Sequence, residues 1–278
     1  MNQRIVVGLD GTDYCRSAIR WACVRAKTFG GIVIGIAVVD VPGIEKSEVG
    51  SGVGGNYYAL KAIDYKLEDA STRTANFIRN FEKKCTGEGV PYETYLKLGE
   101  PIDIFKEEGK TADLIVMGLR TYFKFMTTKA PDEGLIRKLL IDPVCPIIGV
   151  PEEIEPHETI IICFNGTSAS ARAMRSYAHL SPNIPKSYKV ILLNVGDSME
   201  EGEYLLDRAE KYLNTYGIHP EKVWRRGKPE DAIFAKAKKY KPTPLVVLGA
   251  YSDKARYIFG KRTTKLMEDG TIPIFVYH

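Results

Sequence analysis

Short runs of apolar residues alternate along the chain with stretches in which apolar side chains recur every three or four positions. The runs IVVGL after Arg4 and LIVMG after Asp113 are rich in Val and Ile, as is typical of strands buried on both faces of a parallel sheet. The intervening stretches have the spacing of amphipathic helices. This alternation predicts an α/β fold, an open parallel sheet wound by right-handed crossovers.

The helical stretches can be placed individually. The first follows Thr12 or Asp13, either of which can cap its start, and its apolar face consists of Ile19, Ala22, Cys23 and Ala26. A longer stripe of about six turns covers residues 60–81, and a shorter one covers 204–216 in the second half. Residues 102–108 and 231–240 follow Gly-x-Pro starts, which favour a further helix in each half. A last helix is predicted at 265–268.

The chain repeats this pattern. Residues 4–12, RIVVGLDGT, correspond to residues 159–167, TIIICFNGT. Further landmarks recur in the same order: IGIAVVD with ILLNVGD, GEP with GKP, DLIVMG with PLVVLG, and CPIIGVP with IPIFVYH. Ordered recurrence of this kind indicates a tandem duplication. Residues 151–156 combine prolines and carboxylates, as linkers do, so the predicted domains are 1–151 and 152–278.

Composition narrows the class of protein. With 278 residues, 44% of them hydrophobic, the chain can form two domains with packed cores. Its 39 basic and 35 acidic residues are spread without long blocks of one sign, which argues against a nucleic-acid partner. It contains neither a membrane-spanning apolar run nor a signal-peptide pattern. We therefore expect a cytoplasmic protein with no membrane partner.

Reactive side chains are few and scattered. The five cysteines form no C-x-x-C pair, and no histidine lies near them at metal-ligand spacing. This pattern predicts neither a disulfide framework nor a metal site; buried thiols in a reducing compartment are expected, with redox sensitivity as the alternative. No nucleophile or acid–base pair stands out either, so enzyme activity is left open.

Ligands of a doubly wound sheet bind beyond the carboxyl ends of its strands, where the winding reverses. The loops after the first strand and after the DLIVMG or PLVVLG strand are therefore the candidate sites. In the second copy the latter loop combines small residues with cations, which suit a phosphate: Gly249, Ser252, Arg256, Gly260, Lys261 and Arg262. A tight turn with a solvated basic face is the competing interpretation.

The order of these landmarks resembles the universal stress protein family in its tandem two-domain form, over nearly the whole chain. The resemblance implies two Rossmann-like domains of the adenine nucleotide alpha hydrolase type, each an open five-stranded parallel sheet with helices on both faces. It also implies an intrachain pseudo-dimer through the last strands, CPIIGVP and IPIFVYH, and a possible homodimer.

Nucleotide-binding members of that family carry Gly-x2-Gly-x9-Gly-(Ser/Thr) after the fourth strand to hold phosphates. An Asp at the end of their first strand lies near the nucleoside, and backbone at the end of the second strand contacts adenine. The first copy keeps the Asp as Asp10, and Val38 aligns with the adenine contact. Its loop departs from the motif, with Thr121 at the second Gly and Glu133-Gly134 in place of Gly-Ser. A carboxylate there repels a phosphate unless it is paired or offset by a metal.

The second copy departs from the motif differently. Asn165 replaces the Asp, Ser252 replaces the second Gly, and Lys261 stands at the Ser/Thr position. Seven residues rather than nine separate Ser252 from Gly260. Neither copy matches the full motif.

Three hypotheses follow. In the first, the first copy binds ATP or AMP, with Mg²⁺ accompanying ATP, and the protein acts in stress response and signalling. The residues assigned to this site are Asp10, Gly11, Thr12, Val38, Met117, Gly118, Arg120, Thr121 and Gly134, with Lys124 and Lys129 near the phosphates. In the second, both sites are empty and the protein is a nucleotide-independent interaction scaffold. In the third, the second copy holds a different small anion at its basic loop. The resemblance implies at most slow ATP hydrolysis as an enzyme activity.

Two further segments attract attention. Residues 42–58 are glycine-rich and are expected to form a flexible insertion, either a lid beside the nucleoside pocket or a mobile connection. Phe123, Phe125 and Met126 are too apolar for free solvent, and they either plug the first pocket or form an oligomer contact.

Overall fold

The computed structural model describes residues 2–48, 56–121, 123, 134–155, 158–250 and 261–277. The chain divides into two compact units, Met1–Val144 and Cys145–His278. The boundary inferred from the sequence, after residue 151, stays a prediction. Within the described residues, no helix has both the length and the apolar character that a bilayer span requires.

The first unit is an α/β domain with a parallel sheet. Its described elements are β1 Gln3–Leu9, α1 Asp13–Phe29, β2 Gly31–Val39, α2 Val41–Glu48, α3 Asn56–Glu88, β3 Tyr92–Leu98, α4 Pro101–Gly109, β4 Leu114–Gly118 and α5 Leu135–Ile141. The strands lie in the order β3-β2-β1-β4, and every pair in this row is parallel. The winding therefore reverses between β1 and β4.

Helix α1 forms where the sequence predicts it. The side chain of Thr12 accepts a hydrogen bond from the amide of Cys15, which caps the first turn. Ala18, Ala22 and Cys23 are buried, as their helical spacing requires. The helix ends before Gly30, whose φ of 76° suits glycine.

The segment 42–58 differs from the expectation of a flexible insertion. Its first part is α2, which the Asp40 side chain caps by accepting a hydrogen bond from the amide of Gly43 at 2.9 Å. Ile44 is buried with Val39 and Ala70. Pro42 lies in the first helical turn, where a missing amide hydrogen is tolerated. Residues 49–55 lie outside the described residues.

Helix α3 is longer than its apolar stripe predicted, with 33 residues. Ala70, Thr74 and Phe81 are buried as expected, whereas Leu60 is 62% exposed. The helix ends in a glycine turn: the Val90 amide donates to the Cys85 carbonyl, and Gly89 has a φ of 65°.

The second unit has the same α/β architecture. Its described elements are β5 Ile147–Val150, β6 Thr159–Cys163, α6 Ser168–Leu180, β7 Lys189–Val195, α7 Met199–Asn214, β8 Glu221–Arg225, α8 Pro229–Ala237, β9 Leu245–Gly249, α9 Lys261–Asp269 and β10 Ile274–Tyr277. The strands β10-β9-β6-β7-β8 are parallel neighbours in that order.

One strand of the second unit runs against the others. The fifth strand of the first repeat, β5, pairs antiparallel with β10, with Ile148 opposite Phe275. Both side chains are fully buried. The pseudo-dimer and homodimer that the family resemblance implies remain proposals.

Candidate functional site

The carboxyl end of β1 is the point where the winding of the first sheet reverses. Leu9 is in register with Ala37 of β2, and Val7 is in register with Val116 of β4. Continuing these registers places Asp10 beside Val38 and near Gly118. The structure thus brings the ends of β1, β2 and β4 together at one edge, where ligands of such sheets bind.

Asp10 is buried and organises the turn between β1 and α1. Its Oδ1 accepts hydrogen bonds from the backbone amide of Thr12 at 3.1 Å and from the Thr12 hydroxyl at 2.7 Å. The same hydroxyl accepts the Cys15 amide at the start of α1. The carboxylate, the threonine and the helix cap therefore form one network, in which Asp10 has a structural role.

Asn165 makes the corresponding contacts in the second copy. Its Oδ1 accepts from the Thr167 amide at 3.3 Å and from the Thr167 hydroxyl at 2.7 Å, and Thr167 caps α6 through the Ser170 amide. The amide oxygen of Asn reproduces the hydrogen bonds of the carboxylate. The difference between the copies at this position is therefore mainly one of charge.

A helix covers the glycine of each turn. Gly11 and Gly166 have φ values of 75° and 78°, which only glycine adopts easily. A Cβ on Gly11 would lie 2.2 Å from the ring of Phe77 on α3, and one on Gly166 would lie 2.9 Å from Leu205 on α7. Sequence reasoning placed Phe77 on a buried stripe without assigning it to this site.

The glycines at the ends of β4 and β9 allow a close approach by the first turn of a helix. A Cβ on Gly118 would lie 2.3 Å from Cβ of Tyr14 in α1. One on Gly249 would lie 2.5 Å from the backbone carbon of Ala169 in α6. The first loop glycine of each copy therefore has a packing function that is independent of any phosphate.

Thr121 replaces the second motif glycine and faces inward. It is only 2% exposed, and its amide donates to the Gly118 carbonyl at 3.1 Å. Its hydroxyl finds no hydrogen-bond partner among the described residues. Such a buried hydroxyl lacks the compensation that buried polar groups normally have. Arg120, the residue before it, is exposed.

Other residues assigned to the first site take different positions. The side chains of Val38 and Met117 are fully buried in the core, so only their backbone could contact a ligand. Gly134 precedes α5, and a Cβ there would meet no atom of the described residues within 4 Å. Glu133, Lys124 and Lys129 lie outside the described residues.

Phe123 belongs to the core of the first unit. It is buried and packs against Phe105, with ring centroids 5.2 Å apart. A Cβ on Gly8 would lie 3.0 Å from the Phe123 ring. Phe123 therefore covers one face of β1 and is not a free surface contact. Phe125 and Met126 lie outside the described residues.

Only part of the basic loop of the second copy can be placed. Ser252, Arg256 and Gly260 lie outside the described residues, and Lys261 and Arg262 open α9. Gly249 is the last residue of β9.

The second copy contains a polar contact that sequence reasoning did not identify. Asn194 is buried in β7 and donates from Nδ2 to the Phe164 carbonyl at 2.8 Å. A Cβ on Gly202 of α7 would lie 2.8 Å from Asn194 Oδ1 and 2.2 Å from the Trp224 ring. The end of β7 is thus tightly packed against α7. A lone Asn in the apolar run ILLNV was the available signal.

A buried thiol beside the first site is held in its protonated form. Burial and the nearby charge of Asp10 raise the pKa of the Cys15 thiol to about 12, which keeps it protonated and unreactive. In the second unit, His179 Nε2 is bonded to the hydroxyls of Tyr212 and Tyr216. Within the described part of the chain, metal-ligating side chains do not gather in groups of three or more.

Comparison with known proteins identifies one matching family model and several solved structures of similar fold. Residues 1–130 match the model of the universal stress protein family. A universal stress protein from Archaeoglobus fulgidus DSM 4304 is 15% identical, covers 98% of this chain and 97% of its own, and superposes with a TM-score of 0.67. A Pseudomonas aeruginosa UCBPP-PA14 protein described as a member of that family is 12% identical, with coverage of 99% and 92% and a TM-score of 0.57. No curated protein sequence matches the chain.

Proposed function

We propose that the first copy binds an adenine nucleotide, because residues 1–130 match the universal stress protein family. The ligand is ATP or AMP, with Mg²⁺ accompanying ATP, and binding serves a role in stress response and signalling. The observation that carries the proposal is the position of Asp10. It is an acidic residue at the edge where β1, β2 and β4 end together.

The residues at this edge fit the parts of a nucleotide. The backbone at Val38 and the end of β2 would contact adenine, while the Asp10 carboxylate would accept a ribose hydroxyl. The backbone of Gly118 and the hydroxyl of Thr121 would face the phosphates. The buried hydroxyl of Thr121, which has no partner among the described residues, is a donor that a ligand oxygen would satisfy. Arg120 supplies an exposed positive charge beside it.

The first copy is the better candidate of the two. Its strand-end residue is charged, whereas Asn165 supplies the same hydrogen bonds without a charge. In the second copy, packing among Asn194, Gly202 and Trp224 fills space beside the end of β7. A smaller anion at Arg256, Lys261 and Arg262 remains a separate proposal for that copy, and it predicts binding that weakens as salt rises.

A second candidate function is a nucleotide-independent interaction scaffold. One observation favours it: the space beside Gly11 and Gly118 is already occupied by Phe77 and Tyr14. Both glycines thus have a packing role without a ligand. In this alternative, Asp10 serves only the turn and the cap of α1.

The substitution Asp10→Asn separates these two functions. Since Asn165 makes the turn hydrogen bonds with an amide oxygen, Asn at position 10 should preserve the fold while removing the charge. If Asp10 binds ribose, ATP affinity should fall about tenfold, the effect of losing one charged hydrogen bond. Calorimetric titration with ATP and AMP measures this change, and thermal unfolding verifies the fold.

The matched control is Asp113→Asn. This change also removes one carboxylate charge from the first unit, but Asp113 lies before β4 and accepts the Arg4 amide at 2.8 Å. Affinity should stay within twofold of the original protein. Equal losses from Asp10→Asn and Asp113→Asn, or from Asp10→Ala and Asn165→Ala, would contradict a specific site in the first copy.

A further inference from the structure

Two cysteines of the first unit face each other between α1 and α3. The Sγ atoms of Cys23 and Cys85 are 3.8 Å apart. Both residues are buried, with exposed fractions of 2% and 0%, and 62 residues separate them in sequence. Neither the proposed nucleotide site nor the turn at Asp10 uses them.

We propose that Cys23 and Cys85 form a redox-active thiol pair, which a peroxide oxidises to a reversible disulfide joining α1 to α3. The sulfur atoms must approach from 3.8 Å to a bond length of about 2.0 Å. Rotation of the two side chains and a small adjustment of the helix ends would bring them together.

The chemistry needs one peroxide molecule per pair. The Cys23 thiolate attacks a peroxide oxygen, which gives a sulfenic acid and releases hydroxide, which is protonated to water. The Cys85 sulfur then attacks the sulfenic sulfur and loses its proton as a second water leaves. The two thiols together give up two protons and two electrons, and hydrogen peroxide takes them up and is reduced to two waters.

The surroundings assign different roles to the two thiols. The hydrogen bond with the Cys85 thiol lowers the pKa of Cys23 more than burial raises it, and the positive charges of Lys84 and Lys27 lower it against the negative charge of Glu88. The same hydrogen bond and burial raise the pKa of Cys85. We take Cys23 as the attacking thiolate, because reactivity follows thiolate character, and Cys85 as the resolving thiol. The disulfide that forms is the same if the two roles are exchanged.

Access to the pair comes from the end of α3. Cys85 lies in the last turn of this helix, and its carbonyl accepts the Val90 amide in the glycine turn that ends it. Helix ends open more readily than helix centres. Glu88 holds this end closed through ion pairs with Lys27 of α1 and Lys84 of α3. Oxidation should therefore proceed in the folded protein at the rate of this local opening.

The test is a peptide map of the folded full-length chain after peroxide treatment. Remaining thiols are blocked with N-ethylmaleimide, and the protein is digested without reductant. We expect a Cys23–Cys85 linked peptide, loss of two of the five free thiols, and recovery of both with dithiothreitol. Far-UV circular dichroism before and after treatment should be unchanged.

Variants identify the pair. Cys15→Ala removes another buried thiol of the same unit and should leave the linked peptide in place. Cys23→Ala should abolish it and leave Cys85 blocked by the alkylating reagent. Because the map of the unsubstituted chain decides the question, a variant that fails to fold does not weaken the test.

Three results would overturn the proposal. One is full alkylation of Cys23 and Cys85 after peroxide treatment of the folded chain. The second is recovery of either residue as a sulfinic acid, and the third is a disulfide that joins two chains. The assay contains no nucleotide, so its outcome is independent of the proposed function.

Discussion

Asp10 and Asn165 occupy equivalent turns and hydrogen-bond to the threonine two positions later with nearly the same geometry. The turn therefore requires a side-chain oxygen acceptor at this position, and it forms with a charged or a neutral side chain. A buried carboxylate costs more to desolvate than an amide does. Its presence in only one copy is what makes Asp10 the residue of interest for ligand binding.

The sequence identified the turn residues after β1, but it did not show why a glycine is needed at position 118. An Asp-Gly-Thr after an apolar strand indicates a strand-to-helix turn in any parallel α/β domain. Gly118 was assigned to phosphate binding, yet its lack of a side chain is needed because α1 approaches to within 2.3 Å of where a Cβ would be. Distances between segments far apart in sequence are absent from a single sequence, so packing glycines and binding glycines look alike.

At Gly118 we expect a methyl group to be costly. Gly118→Ala would force Tyr14 and the start of α1 to move, and overpacking of this kind destabilises by about 1–3 kcal/mol. Gly87→Ala is the matched control, because it adds the same methyl group to the same unit where no atom of the described chain lies within 4 Å of it. Urea unfolding measures both free energies.

The control should be neutral or slightly stabilising, since Gly87 is helical and alanine favours helix by about 0.5–1 kcal/mol. Equal stability of Gly118→Ala and the unsubstituted protein would show that the contact with Tyr14 is not tight.

Among the elements, long amphipathic helices and buried strands were predictable, and short segments were not. Helix α1 repeats its apolar spacing over several turns. Helix α2 has eight residues, VPGIEKSE, too few to establish a period, and its Pro and Gly are typical of loops. It forms because Asp40 caps it and Ile44 has a buried partner in Ala70.

A prediction on α2 follows from that packing. Ile44→Ala should destabilise the first unit by about 2–4 kcal/mol, the usual cost of truncating a buried Ile. Glu45→Ala, at the next and exposed position, should change stability by less than about 0.5 kcal/mol. Chemical denaturation compares the two variants, and equal effects would favour a mobile connection over a packed helix.

The contact between α1 and α3 predicts a dependence on pH. Hydrogen bonds from Lys27 and Lys84 lower the pKa of Glu88 from 4.5 to about 2. Because the folded protein holds this carboxylate in its charged form, its contribution to stability is complete above pH 4.5. That contribution is lost as the pH falls towards 2.

Thermal unfolding of Glu88→Gln tests this dependence. The variant should melt below the unsubstituted protein at pH 7, and the gap should close progressively between pH 4.5 and 2. Glu107→Gln is the control. It removes an exposed carboxylate that pairs only locally, with Lys110 at the end of the same helix α4, and it should show a smaller gap in melting temperature at pH 7. A gap for Glu88→Gln that is constant across this range would contradict the ion-pair assignment.

At the level of the whole molecule, the two compact units have the same winding. Five landmarks that recur in the same order predicted this architecture, because the same pattern of apolar positions buries the same faces of strands and helices in each half. The sequence could not show that β5 is part of the second compact unit. Compactness depends on pairings such as that of Ile148 with Phe275, between strands distant in the chain.

The differences between the two copies predict a single nucleotide site per chain. The turns at the ends of β1 and β6 keep one geometry, whereas the residues around them differ in charge and in packing. Retention of Asp10 in the first copy and close packing at Asn194 in the second predict that the chain binds one adenine nucleotide, not two.

Equilibrium dialysis of the full-length chain against radiolabelled ATP, with and without Mg²⁺, measures this stoichiometry directly. We predict saturable binding of one nucleotide per chain, competition by AMP, and weakened binding in Asp10→Asn. The absence of saturable binding to the folded protein, or two equivalent sites per chain, would contradict the account; the former would favour the interaction scaffold.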